Sequence, residues 1–89
     1  MTKWFVYIVQ GSDDSLYTGI TIDIKRRLAQ HNTNNKLGAK SLRGKRPVKM
    51  VYYESHKSQS SARKRESVIK SWTRDDKLKL INSKQDLSI

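Results

Sequence analysis

Two apolar periods alternate along this chain. In residues 4–9, Phe5, Tyr7 and Val9 lie on one side and Trp4, Val6 and Ile8 on the other. Both faces are apolar, so the segment reads as a strand covered on both sides, hence a central one. Turn-forming residues follow, Gly11-Ser12-Asp13-Asp14-Ser15, and Leu16–Ile22 resumes a β-rich run; the simplest connection is an antiparallel hairpin. The period then lengthens. Ile24 and Leu28 lie one helical turn apart behind Asp23, whose carboxylate suits an N-cap, and this predicts a helix over 24–31 ended by Asn32-Thr33-Asn34-Asn35. Residues 36–46 show no apolar period and contain Gly38 and Gly44 before Pro47. They read as a mobile loop, after which residues 48–54 form a third strand. Ser58-Gln59-Ser60-Ser61 opens a second helix to about Ser71, with Ala62, Glu66, Ile69 and either Val68 or Trp72 as its inward stripe. Thr73-Arg74-Asp75-Asp76 caps a third helix that carries Leu78 and Ile81. The order β-β-α-β-α-α, with no internal repeat, predicts an α+β fold in which a three-stranded antiparallel sheet is flanked by helices. Residues 1–82 form one domain in this reading, and 83–89 a frayed tail.

Length and composition narrow what such a domain can do. Eighty-nine residues leave room for one small core and no separate recognition domain. The absence of cysteine removes disulfides, iron–sulfur clusters and thiolate zinc sites, so any chemistry must use oxygen and nitrogen groups. The first apolar run is too short for a signal-peptide core or a membrane span, which leads to the expectation of a cytoplasmic protein. Nineteen Lys and Arg against eight Asp and Glu give a net charge of +11, and a polyanion is the expected partner. Lys36, Lys40, Arg43, Lys45, Arg46 and Lys49 follow one another with no acid between them, a pattern suited to a phosphate backbone. A membrane surface is the weaker alternative, because the apolar stripes of the helices are narrow enough to be used up by the core.

Several residues ask for a chemical explanation. Tyr7 and Tyr17 lie on strands that a hairpin brings together, either as cross-strand packing residues or as chemical groups. Gly19, two residues after Tyr17, marks a place where something approaches the backbone. Arg27 and His31 share a helix face one turn apart. They form either a solvent-facing arginine beside a cationic histidine at a helix C-terminus or a phosphate-binding guanidinium beside a proton-transfer group. Glu66 falls inside an apolar stripe and needs a partner. Lys70 can supply an i,i+4 ion pair; a hard cation that keeps water ligands is the other solution.

Taken in order, Phe5-Val6-Tyr7, Tyr17-Thr18-Gly19, Asp23-Ile24-Lys25-Arg26-Arg27-Leu28 with His31-Asn32, and Glu66 in Glu-Ser-Val-Ile-Lys resemble the GIY-YIG nuclease superfamily over residues 4–81. The likeness is greatest to its small stand-alone bacterial members, which also resemble this chain in Leu16-Tyr17-Thr18-Gly19-Ile20-Thr21 and in Gly38-Ala39-Lys40 with Arg43-Gly44. Phe5 replaces the glycine that opens the first namesake triplet, and Thr18 the isoleucine of the second; neither change removes a catalytic side chain.

The resemblance implies a metal-dependent endonuclease with Tyr7, Tyr17, Arg27, His31 and Glu66 around the scissile phosphate and one Mg²⁺ or Mn²⁺ ion. Glu66 would anchor the ion and Arg27 would offset charge on the phosphoryl group. Tyr17 would be the base for the attacking water, since nearby cations favour phenolate over a phenol whose reference pKa is near 10. Tyr7 would position water or phosphate, and His31 would accept a proton or hold Tyr17. Gly19, Lys40, Arg43, Lys45, Arg46 and Lys70 are expected to contact nucleic acid, with DNA preferred to RNA, little sequence preference, and selection of nicked, flapped, branched or single-stranded forms. The competing reading is a basic nucleic-acid-binding module that does not cut and delivers an unidentified protein partner.

Overall fold

The computed structural model describes residues 2–83. Three strands, β1 (Trp4–Gln10), β2 (Leu16–Thr21) and β3 (Lys49–His56), form an antiparallel sheet in the order β2-β1-β3. The central position expected for β1 follows from its composition: Val6, Tyr7, Ile8 and Val9 are all buried, which only a strand paired on both edges and covered on both faces allows. The pairing with β2 is regular from Phe5 opposite Thr21 to Gln10 opposite Leu16. The pairing with β3 is interrupted, because Ile8 faces Tyr52 while Val9 faces Met50, leaving Val51 as the extra residue of a bulge.

Each face of the sheet carries its own apolar cluster. On one, Val6, Ile8 and Tyr52 pack with Ala62 and Ile69 of α2 (Gln59–Lys70), and α3 (Arg74–Asn82) adds Leu80 and Ile81. On the other, Tyr7 and Val9 pack with Leu42 and Val48, and Leu28 of α1 (Ile24–Thr33) lies against them. All three helices start at side-chain caps: Asp23, Ser58 and Thr73 accept the backbone N–H of Arg26, Ser61 and Asp76 respectively. Asn32 fixes the end of α1 to the residue before β3 by accepting from Val48 N at 2.7 Å and donating to Val48 O at 3.0 Å.

Two sequence expectations need correction, and one alternative is decided. The segment expected to be a loop contains a 3-10 helix over Lys40–Lys45, organised by Leu42, which is almost fully buried. Short 3-10 turns need one anchoring side chain and no long apolar period, so the pattern could not show it. Of the two residues offered for the inward stripe of α2, Val68 is 47% exposed, and Trp72 is the one that packs on the cluster with Ala62 and Ile69. Ser83, assigned to the tail, is the C-cap of α3; the rest of that expectation, residues 84–89, lies outside the described residues.

Candidate active site

Tyr7 and Gly19 are direct partners across β1 and β2. The glycine makes room for the phenol, since a Cβ at position 19 would lie 2.5 Å from Tyr7 Oη and 2.7 Å from its Cζ. The ring therefore leans over β2, an edge strand, and carries its hydroxyl toward the rim of the sheet. What approaches the backbone at Gly19 is this ring. Tyr17, on the same face, has its ring centroid 6.4 Å from that of Tyr7.

Helix α1 brings His31 onto these two rings. The imidazole is completely buried, with Nε2 2.7 Å from Tyr7 Oη and its ring edge-on to Tyr17 at 5.3 Å between centroids. Its Nδ1 accepts the Ala39 N–H at 3.1 Å. That contact depends on Gly38, where a Cβ would come within 2.5 Å of Gln30 O. A ring nitrogen that accepts a backbone hydrogen carries none of its own, so the neutral imidazole holds its hydrogen on Nε2 and donates it to Tyr7 Oη. The hydroxyl hydrogen of Tyr7 remains available to a further acceptor.

Charge follows from this geometry. Burial first, then the positive charges of Arg27 and Arg46, push His31 down to about 4. His31 is therefore neutral near pH 7, which overturns the alternative of a cationic histidine complementing a helix dipole. Burial also pushes Tyr7 up to about 12; Arg27 opposes the rise, while Tyr17 and Glu66 add to it. Tyr7 is a hydrogen-bond donor at working pH.

Arg27, one turn before His31, is held by Nη1 donating to Gln30 Oε1 at 3.0 Å and to Leu37 O at 2.5 Å. Glu66 arrives from the opposite layer, on α2, and its charge acts on the Tyr7 hydroxyl. Its side chain is 19% exposed, and Oε2 lies 3.3 Å from Lys70 Nζ, so the i,i+4 pair that the spacing allows is formed. Among the described residues no group of three or more His, Asp or Glu could hold a metal ion. One carboxylate at a partly open position nonetheless fits Mg²⁺ or Mn²⁺, which take one or two carboxylates and complete their shell with water and phosphate oxygens.

The basic stretch divides into unlike parts. Lys40 is exposed at the start of the 3-10 helix. Lys45 lies 3.8 Å from Asp13, and Arg43 donates to Asn35 O. Arg46 ties down the end of α1: Nε donates to His31 O at 2.7 Å, Nη1 to Asn35 Oδ1 at 2.9 Å and Nη2 to Asn34 O at 3.3 Å. This part of the chain is bound to α1 and not a free connection, because the carbonyls at the helix end lack intrahelical donors and the guanidinium supplies them.

Sequence reasoning missed a second polar cluster, on the α2 face. Glu54 accepts from Tyr52 Oη at 2.5 Å, His56 Nε2 at 2.5 Å and Arg65 Nε at 3.2 Å. Ser61 Oγ lies 2.7 Å from His56 Nδ1, and the Arg65 guanidinium sits 5.2 Å above the Trp72 ring. The spacing of Tyr52, Glu54 and His56, two apart on β3, would have put them on one face; nothing local pointed to Arg65.

A model of the GIY-YIG catalytic domain matches residues 3–80. A UPF0213 protein of Staphylococcus epidermidis is 49% identical over 81 residues, covering 91% of this chain and 96% of the relative. One from Haloquadratum walsbyi is 45% identical over 84 residues, covering 94% of this chain and 92% of the relative. Among solved structures, a UPF0213 protein from Bacillus halodurans gives a TM-score of 0.59 at 34% identity, covering 92% of this chain and 85% of that one. The protein EF2693 from E. faecalis gives 0.63 at 29% identity, covering 100% and 96%.

Proposed function

The chain belongs to the GIY-YIG family of nuclease domains, and on that premise we propose that it is a divalent-metal-dependent endonuclease that hydrolyses DNA phosphodiesters by in-line attack of water. The observation that carries the reading is the Tyr7 hydroxyl. It receives a hydrogen bond from a neutral buried histidine and lies within electrostatic reach of Arg27, Tyr17 and Glu66.

The family resemblance implies the roles, and the geometry supports them as follows. Tyr7, pushed up to about 12, keeps its proton and donates to a phosphate oxygen or to the attacking water. His31 has Nδ1 occupied by Ala39 and its hydrogen on Nε2, so it orients Tyr7 and takes no proton. Tyr17, half-buried on the same face, would take the proton of the attacking water as its phenolate and become the neutral phenol. Arg27 offsets the charge that develops on the phosphoryl oxygens as the bond to the leaving oxygen breaks. Glu66, now paired with Lys70, would hold a divalent ion, which would supply Lewis acidity to the phosphate. The +11 net charge supports a polyanionic substrate, and Lys36, Lys40 and Lys49 are exposed lysines of the basic stretch that can meet its backbone.

The test is cleavage of labelled duplex, single-stranded, flapped and branched DNA and RNA with Mg²⁺, Mn²⁺ or chelator, by the protein and its Glu66→Gln variant, with binding scored in parallel. Metal-dependent cutting that disappears in the variant while binding persists is the expected result. The Lys70–Glu66 pair favours one rival, a binding module whose carboxylate is already neutralised. Tight binding without cutting under every condition would establish that rival.

A further inference from the structure

The face of the sheet that carries Tyr7 does not end at the tyrosine. Phe5, two residues earlier on β1, and Tyr53, the direct partner of Tyr7 on β3, continue it away from the site. Their rings meet edge to face with centroids 6.2 Å apart. With Ile22, Ile24 and Lys25 they line an open groove of about 400 Å³, within the range of small-ligand sites. Ile22 leaves 44% of its surface exposed there. Phe5 is also the residue that replaces a glycine in the first family triplet, so in this chain a ring stands at that position.

Resting on the nuclease reading, we infer that this groove holds one unpaired nucleobase of a DNA strand, next to the phosphate at the Tyr7 site. Continuity and charge argue for this occupant. Phe5 is two strand residues from Tyr7, roughly 7 Å away. Lys25 borders the groove and Arg27 acts on the Tyr7 hydroxyl, so a cation stands at each end of the path from groove to site to meet successive phosphates of one strand. Asp23 also lines the groove, but one of its carboxylate oxygens accepts the Arg26 N–H. In a duplex the base faces are stacked inside the helix; an apolar groove flanked by aromatic rings takes a base that has left its pair. The substrate class that follows is single-stranded, flapped or locally unpaired DNA.

Two readouts test it. The first needs no cleavage: with chelator present, the Ile22 δ-methyl resonance is followed during titration with a short single-stranded oligothymidylate and with an abasic strand of equal length. Both strands present phosphates, and only the first presents bases. The expected result is an upfield shift of the Ile22 methyl with the thymidylate alone, lost in Phe5→Leu; equal responses to both strands, or no response, would overturn the inference. An RNA strand of the same length serves as the comparison arm, and a response confined to RNA also overturns it. The second readout moves a single abasic residue along a cleavable strand. A loss of about tenfold in kcat/KM is expected at one position beside the cut, falling below about threefold in Phe5→Leu. A penalty equal at all positions, or undiminished in Phe5→Leu, counts against the groove while leaving the nuclease reading intact. A base-dependent methyl shift in a protein that cuts nothing keeps the groove and removes the nuclease. If sedimentation finds a dimer that Ile22→Glu dissociates, the groove is covered by a second copy and the inference fails.

Discussion

The two faces of the sheet carry nearly the same polar residue types and use them in opposite ways. On the α2 face, Tyr52, His56 and Arg65 converge on Glu54 and fill its acceptor positions. Burial alone would raise the Glu54 pKa, but hydrogen bonds from Tyr52 and His56 and the charge of Arg65 outweigh it and hold the carboxyl below its usual value. On the α1 face, Tyr7, Tyr17, His31 and Arg27 have no carboxylate at their centre. Glu66 stands at the margin with one lysine for a partner. A polar cluster whose hydrogen bonds close on themselves fastens one layer to another; one that ends in an unspent donor and an open carboxylate has something left to offer a substrate. The inventory of residue types does not separate a clasp from a reactive site, and the count of donors around each acceptor does.

Exchanging the two carboxylates for amides is the strongest way to break this contrast. Glu66→Gln is expected to lower cleavage by at least about a hundredfold and to change stability by under roughly 1 kcal/mol, because its ion pair is partly exposed. Glu54→Gln is expected to do the reverse, costing about 3 kcal/mol, which for a domain of this size lowers Tm by roughly 12–24 °C, while the folded fraction still cuts. Equal losses of activity in the two variants, measured beside thermal melts, would show that the faces are not separate in function.

Gly19→Ala sharpens the description of the reactive face. The new methyl must displace the Tyr7 phenol, so a loss of about 1–3 kcal/mol in stability should accompany reduced kcat, and the His31–Tyr7 hydrogen bond should lengthen in a structure of the variant. A third test uses pH. His31 is held down to about 4 in the folded chain and titrates near 6.5 when unfolded. The unfolded chain therefore binds the proton first. Stability from this group is complete above about pH 6.5 and is lost as pH falls toward 4, on the order of 2–3 kcal/mol. Urea melts at pH 7 and pH 4.5 on the protein and on His31→Gln should differ by that amount, and an imidazole NMR titration with a midpoint near 6.5 would contradict the buried neutral ring. The smallest effects separate the cations: Lys40→Gln should leave Tm unchanged and reduce the salt slope of DNA binding by about 1, whereas Arg46→Gln should cost about 1–3 kcal/mol by releasing the carbonyls at the end of α1.

The fold was legible where local chemistry is strong. Asp23, Ser58 and Thr73 announce helix starts because a cap is a contact between near neighbours, and β1 announces its central place through two apolar faces. The site was legible in part, since the motif order singles out Tyr7, Tyr17 and His31, whose rings the structure brings together. The polarity of the His31–Tyr7 bond was not, because it depends on the Ala39 N–H eight residues away. Neither was the work of Arg46, which looks like its basic neighbours until the end of α1 is seen beneath it, nor the clasp at Glu54, whose arginine is eleven residues distant.

The bulge at Val51 has a consequence for how this chain tolerates change in length. Met50 belongs to the α1 face, whereas Val51 and Tyr52 both pack on the α2 face, so β3 shifts phase by one residue at that point. Upstream of it and downstream of it, the same parity of residue number denotes opposite sides of the molecule. Removing Val51 would restore an even ladder with Met50 still on the α1 face and the Tyr52-Glu54-His56 set still on the α2 face. Length is therefore less tightly constrained at this one position than in the rest of β3, because the loss of the bulge residue turns neither half of the strand over.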